Sequence, residues 1–180
     1  MENLKKTVVV TGASFGIGKA TAKLLAENNF HVIAIARSID ELKSIESDNI
    51  EVYQMDITNR SEVENFGKYI YDRKIDALVN NAGGGFNLPN NIITDDVDHW
   101  KKSYDLNVVG AMHMTKTIAP SMIKNGGGNV VLITSMAGHF VYRGGSSYTV
   151  AKHAEVALAE ILRFELFDKN IRVTEIAPGN

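Results

Sequence analysis

The chain of 180 residues has no cysteine, which removes disulfides, zinc knuckles, iron–sulfur clusters and a thiol nucleophile together. Long apolar runs are missing too. The longest near the start is Val8, Val9 and Val10, well short of a signal-peptide core or of the roughly 18 residues of a membrane span. There is no excess of positive charge. Lys plus Arg number 19 against 21 Asp plus Glu, for a net charge of -2 and a pI near 6.2, so neither nucleic acid nor a membrane is the expected partner. The five histidines, at positions 31, 99, 113, 139 and 153, show no metal-ligand spacing, and no metal is expected. With no repeat period either, what remains is an ordinary folded domain: 44% hydrophobic and 22% charged residues in one unit spanning 1–180. A reducing, cytoplasmic setting fits the missing thiols.

Glycine is placed rather than abundant, clustering at 12–18, 83–85, 126–128 and 144–145. Between the clusters, short β-branched runs alternate with longer stretches of helical period, the pattern of strand–helix units on a parallel sheet. The runs predict strands at Thr7 to Val10, His31 to Ala36, Glu51 to Met55, Asp76 to Val79, Asn129 to Ile133 and Arg172 to Ile176. Their continuous apolar character fits a sheet covered on both faces. Helices are predicted over Gly16 to Asn28, from Asn59 or Ser61 through Ile70, from Thr94 to Ile123, and over Ser147 to Phe167. The third has an expected irregularity near Asn107 to Gly110 and another at Pro120. The fold class is therefore α/β, a doubly wound parallel sheet of six strands.

The first strand runs directly into Thr11-Gly12-Ala13-Ser14-Phe15-Gly16-Ile17-Gly18, which opens the first helix. Such a loop allows a tight turn, a close approach of backbone N–H groups to a pyrophosphate, and close helix–strand packing. The spacing is G-x-x-x-G-x-G rather than G-x-G-x-x-G; in isolation it also reads as a plain strand–helix turn. The second strand decides the matter. About 20 residues beyond the loop, dinucleotide folds meet the adenosine ribose, and Arg37 stands 19 residues past Gly18, followed by Ser38. An acid would bond a free 2′-hydroxyl; a guanidinium suits a 2′-phosphate, so NADP(H) is expected over NAD(H). The alternative is an arginine solvated on a loop.

Tyr148-Thr149-Val150-Ala151-Lys152 puts a phenol and an ammonium one helical turn apart on one face, and Ser135 follows a strand 13 residues upstream of Tyr148. The sequence here resembles the short-chain dehydrogenase/reductase family. The likeness runs in order through Thr11 to Gly18, Asp56, Asn80-Asn81-Ala82-Gly83, Asn107, Thr134-Ser135-Met136-Ala137-Gly138, Tyr148 to Lys152 and Pro178-Gly179. It covers essentially the whole chain. Around Ser135 to Lys152 and Ile171 to Gly179 it is most similar to the branch that oxidises 3-hydroxy acids such as serine.

The resemblance implies a Rossmann-type domain and a hydride transfer between NADP(H) and a small alcohol or carbonyl compound. Tyr148 is then the general acid or base, and because a free phenol titrates near pH 10, the Lys152 cation is needed to favour phenolate. Ser135 would hold the substrate oxygen. Asn107 would anchor a water leading to Lys152, although asparagine at a helix interruption also serves backbone groups. Asp56 would bond the adenine. Gly12, Ser14, Phe15, Gly16, Ile17, Gly18, Arg37, Ser38, Asn81, Ala82, Gly83, Pro178 and Gly179 complete the implied cofactor contacts, with Thr134 standing where a second serine is common.

His139, Tyr142 and Arg143 lie between Ser135 and Tyr148 and are the expected wall of the substrate pocket, Arg143 as a partner for a substrate carboxylate. Met112, Met114, Met122, Phe164 and Phe167 sit on the two long helices, which the resemblance implies form a homodimer or homotetramer. Family members continue past the Pro-Gly turn into a substrate lid, so the chain is expected to be truncated at its C-terminus. The rival expectations are a dinucleotide-binding module or fragment without turnover, and a related epimerase or dehydratase.

Overall fold

The computed structural model of the protein describes residues 5–86, 89 and 91–179. Its elements alternate: β1 (Thr7–Thr11), α1 (Gly16–Glu27), β2 (His31–Ala36), α2 (Ile39–Lys43), β3 (Ile50–Gln54), α3 (Arg60–Tyr69), β4 (Ala77–Asn80), α4 (Val97–Tyr104), a π-helical segment (Asp105–Val109), α5 (Gly110–Lys124), β5 (Gly128–Ile133), α6 (Ser146–Leu166) and β6 (Ile171–Ile176). The strands form one parallel sheet in the order β3-β2-β1-β4-β5-β6. This is the Rossmann-like α/β fold.

Period-two alternation explains why the strands read as unbroken apolar runs. In β1, Val8 and Val10 join Val32, Ala34, Ala22, Ala26 and Leu42 on the face covered by α1 and α2. Val9 points the other way, toward Ile33, Phe66, Met114, Ile118 and Ala159 under α3, α5 and α6. Each fully buried valine or isoleucine contributes roughly 1.5–3 kcal/mol, so a polar residue at any of these positions would face a core on one side or the other. The two helical layers leave the strand ends open.

The expected strands appear within one residue of their predicted ends, and α1 and α6 begin and end within a residue of theirs. The helix expected at Thr94 starts later, because Asp96 is the residue whose side chain accepts from a first-turn amide, that of Asp98. The expected irregularity near Asn107 is the π segment, whereas α5 runs unbroken through Pro120. Three short elements escaped the periodicity reading, α2 and the 3-10 turns at Met136–Gly138 and Phe167–Lys169. None is long enough to show a period.

The order places β1 between β2 and β4, so the chain departs in opposite directions from the carboxyl ends of β1 and β4. A crevice opens there.

Candidate active site

Thr11 ends β1 with its side chain fully buried, and its hydroxyl accepts from the backbone N–H groups of Asn81 and Ala82 at 3.0 Å each. Asn81 returns the brace: its Nδ2 donates to the Thr11 carbonyl at 2.9 Å and to the Gly12 carbonyl at 3.2 Å. This leaves no room for side chains between the loop and β4. A Cβ on Gly12, where φ is +66°, would lie 2.8 Å from the Ala82 Cα, and one on Gly18 would overlap Asn81 Nδ2 and the Gly12 carbonyl. Gly16 differs. Its φ is +52°, yet a Cβ there would meet nothing within 4 Å, so conformation and open space, not packing, favour glycine at this point.

Helix α1 begins at Gly16 without a side-chain cap and without an acidic residue in its first turn. Its first amides and the positive end of its dipole therefore face the crevice without a counter-charge of their own, the arrangement that binds anions. The crevice is a cleft of about 530 Å³, within the range of small-molecule sites. It runs from Arg37 and Asp56 at one end, past Gly12 to Ile17 and Asn81 to Gly84, to Ser135, Tyr148, Lys152, Pro178 and Gly179 at the other.

At the first end, Arg37 is exposed and its Nη1 lies 3.9 Å from Asp56 Oδ2. The other Asp56 oxygen is occupied by the amide and hydroxyl of Thr58, at 2.9 and 2.8 Å. Ser38 lies beside Arg37 as the residue before α2.

At the far end three elements meet. Ser135 follows β5 and its hydroxyl accepts from the Ala137 amide at 3.1 Å. Tyr148 and Lys152 come from the first turns of α6, with Lys152 Nζ 5.8 Å from the centre of the Tyr148 ring. Lys152 is only 3% exposed. Its ammonium donates to the Ile133 carbonyl at 3.1 Å and to Glu155 Oε2 at 2.6 Å. Burial outweighs the attraction of Lys152 and raises the Glu155 carboxyl to about 7. Asn107, in the π segment, is buried and commits both of its amide protons, to the carbonyls of Gly84 at 2.9 Å and Ser103 at 2.7 Å, while its oxygen accepts from the Gly84 amide at 3.0 Å. The chain leaving β4 passes so close that a Cβ on Gly83 would lie 2.7 Å from Asn107 Oδ1 and 3.1 Å from Lys152 Nζ. Pro178 closes the corner by accepting from the Met136 amide at 3.0 Å.

Of the residues singled out from sequence, Gly18 and Asn107 stand behind the cleft wall rather than in it. His139, Tyr142 and Arg143 do not line this cleft either. His139 Nε2 bonds Glu175 Oε1 at 2.8 Å instead, Tyr142 packs over Gly145, and Arg143 is exposed. Reading the sequence missed the Thr11 brace, the lining by Met55, Leu106 and Thr134, and Glu155. Among the described residues no cluster of three metal-ligating side chains occurs, and no helix is long and apolar enough to cross a membrane.

Comparison with known proteins follows the same outline. Residues 6–180 match the family described as short chain dehydrogenase. An uncharacterised oxidoreductase of Mycobacterium tuberculosis (strain ATCC 25618 / H37Rv) is 43% identical over 176 residues, which cover 97% of this chain and 69% of that protein. A 7alpha-hydroxysteroid dehydrogenase of Escherichia coli (strain K12) is 35% identical over 183 residues, covering 97% of this chain and 70% of that one. Among solved structures, the closed form of a serine dehydrogenase complexed with NADP+ superposes with a TM-score of 0.91 at 31% identity, over 96% of this chain and 71% of that one. The chain thus spans about two thirds of the length of these relatives.

Proposed function

Because the chain belongs to the short-chain dehydrogenase family, we propose that it is a cytoplasmic oxidoreductase joining NADP(H), in preference to NAD(H), to a small alcohol or carbonyl substrate. The observation that carries this reading is the cleft itself: an uncapped helix start and the Ser135, Tyr148 and Lys152 side chains share one 530 Å³ crevice at the carboxyl ends of the strands.

The residues present fit a dinucleotide. Gly12 to Ile17 and the first amides of α1 would hold the pyrophosphate, Arg37 and Ser38 a 2′-phosphate, and Asp56 and Asn81 to Gly83 the adenosine side. When bound, the nicotinamide supplies or accepts the hydride. Tyr148 gives its phenolic proton to a carbonyl oxygen during reduction, or takes the proton of an alcohol during oxidation. Ser135, held by the Ala137 amide, keeps its own proton free to donate to that same oxygen. Lys152, fixed at Ile133, keeps a cation beside the phenol and favours phenolate. Asn107 spends its side chain on Gly84 and Ser103, so its contribution is to hold the β4 exit against the π segment near Lys152 Nζ.

A relative named as a serine dehydrogenase supports a 3-hydroxy acid as substrate, and the steroid-named relative makes hydroxysteroids the natural contrast. Tyr148→Phe should lower turnover at least about 100-fold while NADPH binding, followed by fluorescence titration, stays within a factor of about three. Retained turnover in that variant would overturn the assignment, and binding without turnover in the parent would favour a dinucleotide-binding module. The same reading extends to a homodimer or homotetramer. On the two long helices Met114 and Met122 are fully buried, whereas Phe164 is 86% and Phe167 81% exposed, an apolar outer surface suited to a second copy. Light scattering should give a multiple of 19.7 kDa; a monomer at micromolar concentration would refute it.

A further inference from the structure

The oxidoreductase reading leaves one buried acid without a role. Glu155 is 1% exposed and sits three residues after Lys152, with which it shares a 2.6 Å bond. The ammonium of Lys152 has three protons to donate. One goes to Ile133 and one to Glu155, which leaves one for the cleft that Lys152 lines. Glu155 thus holds the lysine from the next turn of α6, with Tyr148 on the turn before, and its charge state alters how much of the lysine cation the phenol feels.

Other charged groups bear on this pair from the elements packed around it. Glu175 on β6 adds a like charge that opposes ionisation of Glu155. That second acid is itself held by the Thr134 hydroxyl at 2.7 Å and by His139 at 2.8 Å, so protonation of His139 offsets it. From α4 and the π segment, Lys101 and Asp105 meet α6 beside Ser147, Val150 and Ala151, a turn or more before Glu155.

We propose that Glu155 is a positioning residue for the reaction: it fixes the Lys152 ammonium from the next turn of α6 and, when ionised, weakens the pull of that cation on the Tyr148 phenolate. The inference rests on Tyr148 being the acid/base group. Ionised Glu155 and Lys152 form a pair whose field at the phenol is smaller than that of the cation alone. Glu155 therefore tempers the phenol, moving its ionisation to higher pH than an unopposed lysine would. Its carboxyl titrates near neutrality, so the tempering switches on across the physiological range.

The test uses the whole chain and does not depend on turnover. Tyrosinate absorbance is titrated from pH 6 to 11, and the Tyr148→Phe curve is subtracted to isolate Tyr148, once in the parent and once in a Glu155→Gln background. Glutamine keeps an acceptor for Lys152 but removes the charge, so the Tyr148 midpoint should fall by roughly half a pH unit or more. Glu155→Asp should restore the parent midpoint. A Glu155→Gln midpoint equal to that of the parent overturns the proposal. Should Glu155→Gln not fold, reciprocity of coupled titrations supplies a second measurement. The carbon-13 carboxyl signal of Glu155 in the parent should show a second inflection at the pH where Tyr148 ionises, and Tyr148→Phe should abolish it. A single inflection in both proteins overturns the proposal equally. Failure of the parent to oxidise any alcohol, with these titrations as expected, refutes the oxidoreductase reading and not the coupling.

Discussion

Replacing Thr11 by valine changes shape by almost nothing and chemistry by one hydroxyl. That hydroxyl accepts from two backbone amides, Asn81 and Ala82, at 3.0 Å each, and donates weakly to the Val79 carbonyl at 3.4 Å. Leaving a buried donor unpaired costs about 1–3 kcal/mol. Asn81 and Ala82 are half-buried, which puts both amides at the lower end, so the valine variant should lose about 2 kcal/mol. For a domain of this size that corresponds to a fall in Tm of roughly 4–8 °C. Thr11→Ser keeps the acceptor and should stay within about 1 kcal/mol of the parent, which separates the hydroxyl from the methyl group. Thermal unfolding by circular dichroism measures the stability, and NADPH titration measures the loop, whose Gly12 carbonyl is tied to the same brace through Asn81. A valine variant that melts within 2 °C of the parent would show that water satisfies the two amides, and the account of the brace would be wrong.

Two further substitutions probe the ends of the cleft. Arg37→Asp should lower the ratio of kcat/KM for NADPH over NADH by roughly 10–100-fold, since a hydrogen bond to a charged group contributes about 1.5–3 kcal/mol; an unchanged ratio would remove Arg37 from the specificity argument. The Glu155 carboxyl, raised from its ordinary 4.5 to about 7, binds a proton more tightly folded than unfolded, so its contribution to stability is fully present below about pH 4.5 and lost as pH rises through 7. At about 1.4 kcal/mol per pH unit the loss is about 3 kcal/mol, with about 2 kcal/mol of it between pH 5 and pH 7. Urea unfolding of the parent and of Glu155→Gln at the two pH values should show that difference, and parallel pH dependences would contradict it.

The cleft residues were legible in the sequence because a parallel sheet forces them together. Every strand of β1, β4 and β5 ends on the same side, so whatever follows Val10, Val79 and Ile133 must line one crevice, whichever side chains are involved. The strands themselves were legible for a related reason: both faces are buried, so each read as a continuous apolar run. What could not be read was the contact between loops. That Asn81 turns back to the Thr11 and Gly12 carbonyls, or that His139 reaches Glu175 and not the cleft, depends on distances across 36 to 70 residues of chain. Position between Ser135 and Tyr148 therefore does not by itself say that His139 meets Glu175 or that Tyr142 packs over Gly145.

Glu155 is the instructive case, because a signal for it did exist. The buried positions of α6 include Ser147, Ala151, Glu155, Ala159 and Leu162, a stripe at spacings of four and three that is the helical period. An acid on the core-facing stripe of a long helix conflicts with the rest of the pattern, since a carboxylate is almost never fully buried unless it is paired. Three residues is also the spacing at which a helical acid meets a lysine. The conflict and the pairing together single out Glu155 from the sequence alone. A reading that searches for chemistry only in family motifs passes over it, because it stands at a position whose helical period requires only something apolar. Local disagreement with the core pattern marks sites that carry a function or a strain. Here it falls one turn from Lys152 and is bonded to it, so a shift in its charge acts on the cation beside the Tyr148 ring.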